Sequence, residues 1–322
     1  MRLGLFIFLI LMNAAGFTNL EKHLGVKISE KLNKRTPIPY THMKYIDDMS
    51  LAESVNLKEA LVPNPSPTLP LQYHDRTHHV LPTSKLHLQA ALQSLEEYSR
   101  THKMSINREK TKVMIFNPNR MYDGTPRLTL SDMGGEHLEV VETFKLLGVM
   151  IRSDLKWSDN TDYICQKGYA RLWMIRRLKG LGAGILEMLA VYENQVRPVL
   201  EMAVPVWQPA LTQQESTQIE RVQRCAFYII LGRNYRSYEE ALNILEFTTL
   251  EERRVKLCEN FARKSIKHQK FKHWFKQNEQ EIKISTRNKE KRDKFNPVRT
   301  RTERYRKSPL PYLTDILNRI YS

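Results

Sequence analysis

Lys44-Tyr45-Ile46-Asp47-Asp48-Met49-Ser50-Leu51 sets two adjacent carboxylates between two short β-type runs. Such a pair fits the tip of a tight hairpin, with the first carboxylate held outward on a rigid turn. Carboxylate oxygens held that way suit a hard cation such as Mg2+. Two such ions about 3.5–4 Å apart stabilise both the attacking and the leaving oxygens in phosphoryl transfer. A bare Asp-Asp pair in a turn is more often a solvated loop or a helix cap, so the flanking sequence has to decide.

Upstream, residues 3–12 form an apolar run broken only by Gly4. With Met1-Arg2 before it and Ala14-Ala15-Gly16 after it, the run has the layout of a secretory signal and is too short to span a bilayer as a helix. The competing reading is a buried core helix. Residues 17–36 read as a polar helix ending in Lys31, Lys34 and Arg35, broken by Pro37 and Pro39. Downstream, residues 63–82 hold five prolines with His74, His78 and His79, which predicts an unusually long loop. A solvated loop is the better reading of those histidines than a metal site.

Thr83 or Ser84 can cap a helix to about residue 102, whose apolar face is Leu86, Leu88, Ala91, Leu92, Leu95 and Tyr98. Residues 112–116 read as a buried strand, 128–130 and 137–141 as a short hairpin around Gly134-Gly135, and 144–151 as a further strand-like run. From Trp157 the pattern turns to helix period. Segments 159–178, 185–199, a third capped by Thr212 and ended by Gly232, 238–245 and 249–272 all read as helices. Residues 276–307 carry twelve Lys+Arg and five Asp+Glu, which predicts an extended, mobile basic tail. Tyr312, Leu313, Ile316, Leu317 and Ile320 then form a short amphipathic helix able to dock back.

The whole chain of 322 residues has a net charge of +16. Residues 1–155 hold 19 Lys+Arg against 16 Asp+Glu, whereas residues 156–322 hold 32 against 19. A basic second half favours a polyanionic partner, nucleic acid ahead of a membrane surface. Three dispersed cysteines, Cys165, Cys225 and Cys258, argue against a disulfide framework or a Cys-rich zinc site. The composition excludes collagen-like and low-complexity sequence, and 41% hydrophobic residues suffice for a core.

In this setting the quoted stretch resembles the polymerase box of reverse transcriptases. The order that follows agrees: a helix leads to Met104-Ser105-Ile106-Asn107, then Lys110-Thr111-Lys112 and its strand, which is similar to the next palm motif. Phe144-Lys145-Leu146-Leu147-Gly148-Val149 resembles the primer-grip hairpin. Cys165-Gln166-Lys167, Ala170-Arg171-Leu172-Trp173, Arg176-Arg177-Leu178-Lys179 and Ile219-Glu220-Arg221-Val222-Gln223-Arg224 resemble the region after the palm in non-LTR retrotransposon polymerases of the jockey or RTE kind.

The resemblance implies an α+β fold, with a partial palm over 1–155, an all-α thumb-like domain over 156–275, and a basic tail with a short terminal helix over 276–322. Asp47 and Asp48 would be catalytic Mg2+ ligands, and Lys110 a group near the nucleotide phosphates. Tyr45 would lie near the primer terminus. Lys167, Arg171, Arg176, Arg177 and Lys179, beside Trp173, would grip nucleic acid, with Trp157, Trp173 and Trp207 in the core. Partners would be an RNA template, a DNA primer and, in the complete enzyme, dNTP, with no membrane and a nuclear location; the oligomeric state is open. The apolar run at 3–12 becomes the rear half of a palm core helix. Because Asp47 is the first Asp of the sequence, the upstream palm Asp is missing, and the chain is expected not to polymerise alone. A non-catalytic nucleic-acid-binding remnant is the alternative, with a secreted basic protein third.

Two further matches carry less. Gly180-Leu181-Gly182-Ala183-Gly184 mimics a nucleotide loop but follows a helix, which suits a helix-to-helix turn. Residues 160–183 are similar to a short module of an AlkB-homologue tRNA hydroxylase and methyltransferase, but the sequence has neither the His-x-Asp pair for iron nor a methyl-donor loop.

Overall fold

The computed structural model describes the backbone of residues 4–12, 41–45, 48–56, 62–63 and 79–80. It also describes residues 87–321, apart from 102, 104–105, 108, 117–127, 131–136, 270 and 278–293. The fold is α+β and divides into two compact units, Met1–Phe144 with Ile151–Leu155, and Lys145–Met150 with Lys156–Ser322.

The first unit is built on a five-stranded sheet. Strands β1 (Gly4–Met12), β2 (Thr41–Tyr45) and β3 (Asp48–Asn56) lie in the order β2-β3-β1. Strands β4 (Val62–Pro63) and β5 (His79–Val80) form a separate two-stranded pair. Helix α1 (His87–Thr101) follows, and then β6 (Lys112–Phe116) and β7 (Glu139–Val140) complete the large sheet beyond β1. β1 is antiparallel to both neighbours, Leu9 facing Leu51 of β3 and Val113 of β6, and β7 runs parallel to β6.

The described part of the apolar run, Gly4–Met12, is therefore a strand, which corrects the core-helix expectation. An apolar run of ten residues has no period that separates a buried helix from a buried strand. Phe6, Ile7, Phe8 and Ile10 favour the pleated form, and a strand with a partner on both sides is expected to be continuously apolar. The expected helix at 17–36 and the tip of the long loop lie outside the described residues. Around the loop, Val62 pairs with Val80 and Pro63 with His79.

Helix α1 buries Leu88, Ala91, Leu92, Leu95 and Tyr98, spaced as its sequence requires. Gln89 behaves like a strand edge. Its Nε2 donates to the carbonyl of Thr129 at 3.0 Å, and its Oε1 accepts from the Thr129 N–H at 3.1 Å. Thr129 in turn bridges antiparallel to His137, as the expected hairpin requires. The run at 144–151 is two strands rather than one, β8 (Thr143–Leu146) and β9 (Val149–Arg152). Leu147 (φ 47°) and Gly148 (φ 89°) make the tight reversal between them, the backbone signs a two-residue hairpin turn demands.

The second unit is helical. Helix α2 (Ser158–Gly180) ends in the glycine-rich turn, and α3 (Ile185–Val191) runs through a π-helical turn (Tyr192–Val196) into α4 (Arg197–Leu200). Pro198 cannot donate to the helical ladder, so a regular α-turn there loses a bond. The short α5 (Val204–Trp207) precedes α6 (Gln213–Leu231), which is followed by α7 (Tyr238–Leu245) and α8 (Leu250–Lys267). Both α6 and α8 start with complete capping boxes, Thr212 with Glu215 and Thr249 with Glu252.

The core gathers Leu172, Ile175, Tyr192, Val196, Trp207, Ile219, Val222, Phe227 and Cys258. The Tyr192 and Phe247 rings both meet Phe227 edge-on, with centroids 5.3 and 5.2 Å away. A polar chain runs through it. The Tyr192 hydroxyl donates to Gln223, whose amide donates to the Tyr238 hydroxyl at 2.8 Å and to the Thr248 carbonyl at 3.0 Å. Tyr238 donates in turn to Glu220.

The basic tail is corrected in part. Its described portion is anchored: Phe295 is buried, and the Asn318 side chain of α10 (Pro309–Tyr321) bonds both its N–H and its carbonyl, at 2.9 and 3.0 Å. Between them lies the single turn α9 (Glu303–Arg306). The terminal helix docks as expected, burying Leu313, Ile316 and Leu317 and packing on α8. No described helix is long and apolar enough to cross a membrane.

Candidate nucleic-acid interface

Tyr45 closes β2 and Asp48 opens β3, and the two are register partners in an antiparallel pair. Two residues, Ile46 and Asp47, lie between them in sequence; Asp47 is outside the described residues. Met12 of β1 is the partner of Asp48 on its other side. Across the sheet Ile10 pairs with both Ser50 and Lys112. The turn that carries Lys110, two residues before Lys112, therefore lies at the same end of the sheet as Tyr45 and Asp48. Lys110 is exposed, and its N–H donates to the Asn107 side chain at 3.1 Å. Lys112 is taken up by an ion pair with Glu139.

The described register brings no second carboxylate opposite Asp48. The register partners of Asp48 are Tyr45 and Met12, and β1 carries no carboxylate along its whole length. Among the described residues no cluster of three or more His, Cys, Asp or Glu side chains could hold a metal ion.

The five cations expected to form one stripe all lie on α2, yet they do not share a face. Lys167 places its ammonium 4.7 Å from the centre of the Tyr163 ring, which Lys145 also approaches at 4.9 Å. Lys145 first, then Lys167, lowers the pKa of that phenol below its ordinary value. Arg171 donates to the Gln195 carbonyl of the π-turn. Lys179 donates to the Ile229 carbonyl, one of the orphan acceptors in the last turn of α6. Only Arg176 and Arg177 are exposed and without an ion pair or hydrogen bond among the described residues.

Trp173, expected in the core, is 61% exposed and lies on the same outward side; Trp157 and Trp207 are buried as expected. The reason is angular. The core-facing positions of α2 are Ile164, Gly168, Leu172 and Ile175, and Trp173 stands roughly 140° from their centre at 100° per residue.

Helix α6 completes the surface. It runs parallel to α2: Asp162 accepts from Gln218 at 2.7 Å, Gly168 lies against Val222, Tyr169 is beside Cys225, and Lys179 reaches Ile229. A Cβ on Gly168 would come within 2.9 Å of Leu200 and Val222, so glycine is what lets these helices meet so closely. Beyond its first turn, the exposed positions of α6 are Thr217, Arg221, Arg224 and Tyr228, spaced four, three and four apart. Because both helices bury their opposite flanks in one core, their exposed stripes lie side by side. Arg221 and Tyr228 were not expected as site residues. Their helical spacing opposite Ile219, Val222 and Ala226 is the sequence signal that marks them.

No protein-family model matches the chain, and no curated protein matches it significantly.

Proposed function

We propose that this chain derives from an RNA-directed DNA polymerase of the non-LTR retrotransposon kind and that it acts through nucleic-acid binding by its helical half. The observation that carries the polymerase reading is the β2–β3 register. Tyr45 opposite Asp48 leaves Ile46 and Asp47 as the two residues between the paired strands, which supports a hairpin carrying the acidic pair. In the complete polymerase the chemistry would be Mg2+-assisted nucleotidyl transfer onto a DNA primer from dNTPs over an RNA template.

No described residue paired with Asp48 supplies a further carboxylate for that reaction. The strand beside the hairpin is apolar, and catalysis of phosphoryl transfer rests on charge stabilisation that a missing carboxylate set removes. The full chain is expected to show no primer extension on an RNA template with dNTPs and Mg2+. Extension that Asp47→Ala abolishes would overturn this. A non-catalytic nucleic-acid-binding remnant is favoured by one further observation, the exposure of Trp173 between cations that pair with no acid.

A further inference from the structure

We infer that the paired faces of α2 and α6 form a binding surface for single-stranded nucleic acid, with bases stacking on Trp173 and Tyr228 and phosphates held by Arg176, Arg177 and Arg221. The inference deepens the nucleic-acid reading above and rests on it, but needs neither the acidic box nor a metal.

Large aromatic side chains normally bury most of their surface. Here Trp173 and Tyr228 are each 61% exposed. The cross-contacts from Asp162–Gln218 to Lys179–Ile229 set them at about the same height on adjacent parallel helices. At that spacing their rings are about one interhelical distance apart, on the order of 8–10 Å. The Tyr228 ring meets the Tyr235 ring edge-on at 5.3 Å, a contact that restricts its orientation.

The charge around the two rings is positive, and the exposed Asp162 lies at the N-terminal end of the seam, about three turns before Trp173. Along α2 from Gln166 to Gly180 there is no acidic residue. On α6 the one acid within the exposed stretch, Glu220, turns inward to Tyr238 and the Leu250 N–H. Exposed guanidinium groups around exposed rings match a partner that offers both phosphates and unpaired π-faces. Duplex offers the phosphates but keeps its bases stacked on one another, so a single strand fits better.

The test uses the full chain in buffer without Mg2+, with a short oligothymidylate as probe, tryptophan fluorescence and anisotropy as readouts, and a duplex of equal length as competitor. The single strand is expected to quench fluorescence and to bind more tightly than the duplex. Trp173→Ala should weaken binding about 5- to 150-fold at every salt concentration. Trp173→Phe should restore most of it, with an unchanged circular dichroism spectrum for both. Arg177→Ala with Arg221→Ala should instead flatten the salt dependence, each lost phosphate contact reducing the log–log slope by about 0.7. Salt-sensitive binding that ignores Trp173→Ala, or equal binding of duplex, would overturn the stacking surface and leave the wider nucleic-acid reading standing. No binding at any salt would overturn both.

Discussion

Each of the three thiols is set by what surrounds it. Cys165 and Cys258 are buried, and desolvation pushes both thiols up to about 12. Cys225 is partly exposed on α6 beside Tyr169. Only the thiolate is a nucleophile. Alkylation of the native chain at pH 8 is therefore expected to label Cys225 alone, and all three thiols after denaturation; early labelling of Cys165 or Cys258 would contradict the packing. A pKa raised in the folded state means the unfolded chain loses its proton first. Stability from these two groups is intact below about pH 9 and falls between about 9 and 12. Burial raises Tyr192 and Tyr238 as well, and their loss acts in the same direction. The sequence shows three dispersed cysteines and no more; which of them is buried depends on helix faces that only packing selects.

At the scale of elements, capping was written most plainly. Thr212 and Glu215 exchange both bonds of the box, the Glu215 N–H donating to Thr212 Oγ1 at 3.2 Å and the Thr212 N–H to Glu215 at 2.8 Å. Thr212→Ala is expected to cost about 1 kcal/mol of the helical unit's stability, read as a lower urea midpoint at unchanged slope. An unchanged midpoint would mean that packing alone holds the start of α6. The reading of 3–12 as a helix failed at this same scale. Nothing within ten apolar residues selects between the two periods; the partners β3 and β6 do, by satisfying the backbone bonds of β1 on both sides. Trp173 shows the opposite case. Its angle on α2 was readable from the positions of Leu172 and Ile175, but Trp is so often a core residue that composition pointed inward.

For the whole molecule, the boundary between the two units runs through the β8–β9 hairpin, which contributes to both. Its Met150 N–H donates to the buried side chain of Asn160 at 3.1 Å, and Gly148 lies against Met202. A fragment of residues 143–322 is expected to melt cooperatively with the helical signal of the full chain. Starting at 156 instead strips Asn160 of its partner, a loss of about 1–3 kcal/mol for an orphaned buried polar group. Thermal unfolding followed by circular dichroism compares the two; equal midpoints would remove the hairpin from the helical unit's structure.

The sequence by itself determined the helical period from Trp157 onward, the caps at Thr212 and Thr249, the strand at 112–116, the amphipathic terminal helix and the basic bias of the second half. All of these are local or additive properties, set by spacing, side-chain chemistry or charge count. The tertiary structure decided that Gly4–Met12 is a central strand, that Lys167, Arg171 and Lys179 are spent on the Tyr163 ring and on two backbone acceptors, and that Trp173 and Tyr228 share an open face. Each of those depends on a partner distant in sequence. A carbonyl such as that of Ile229 or a ring such as Tyr163 competes for a cation only once the fold has brought it within reach.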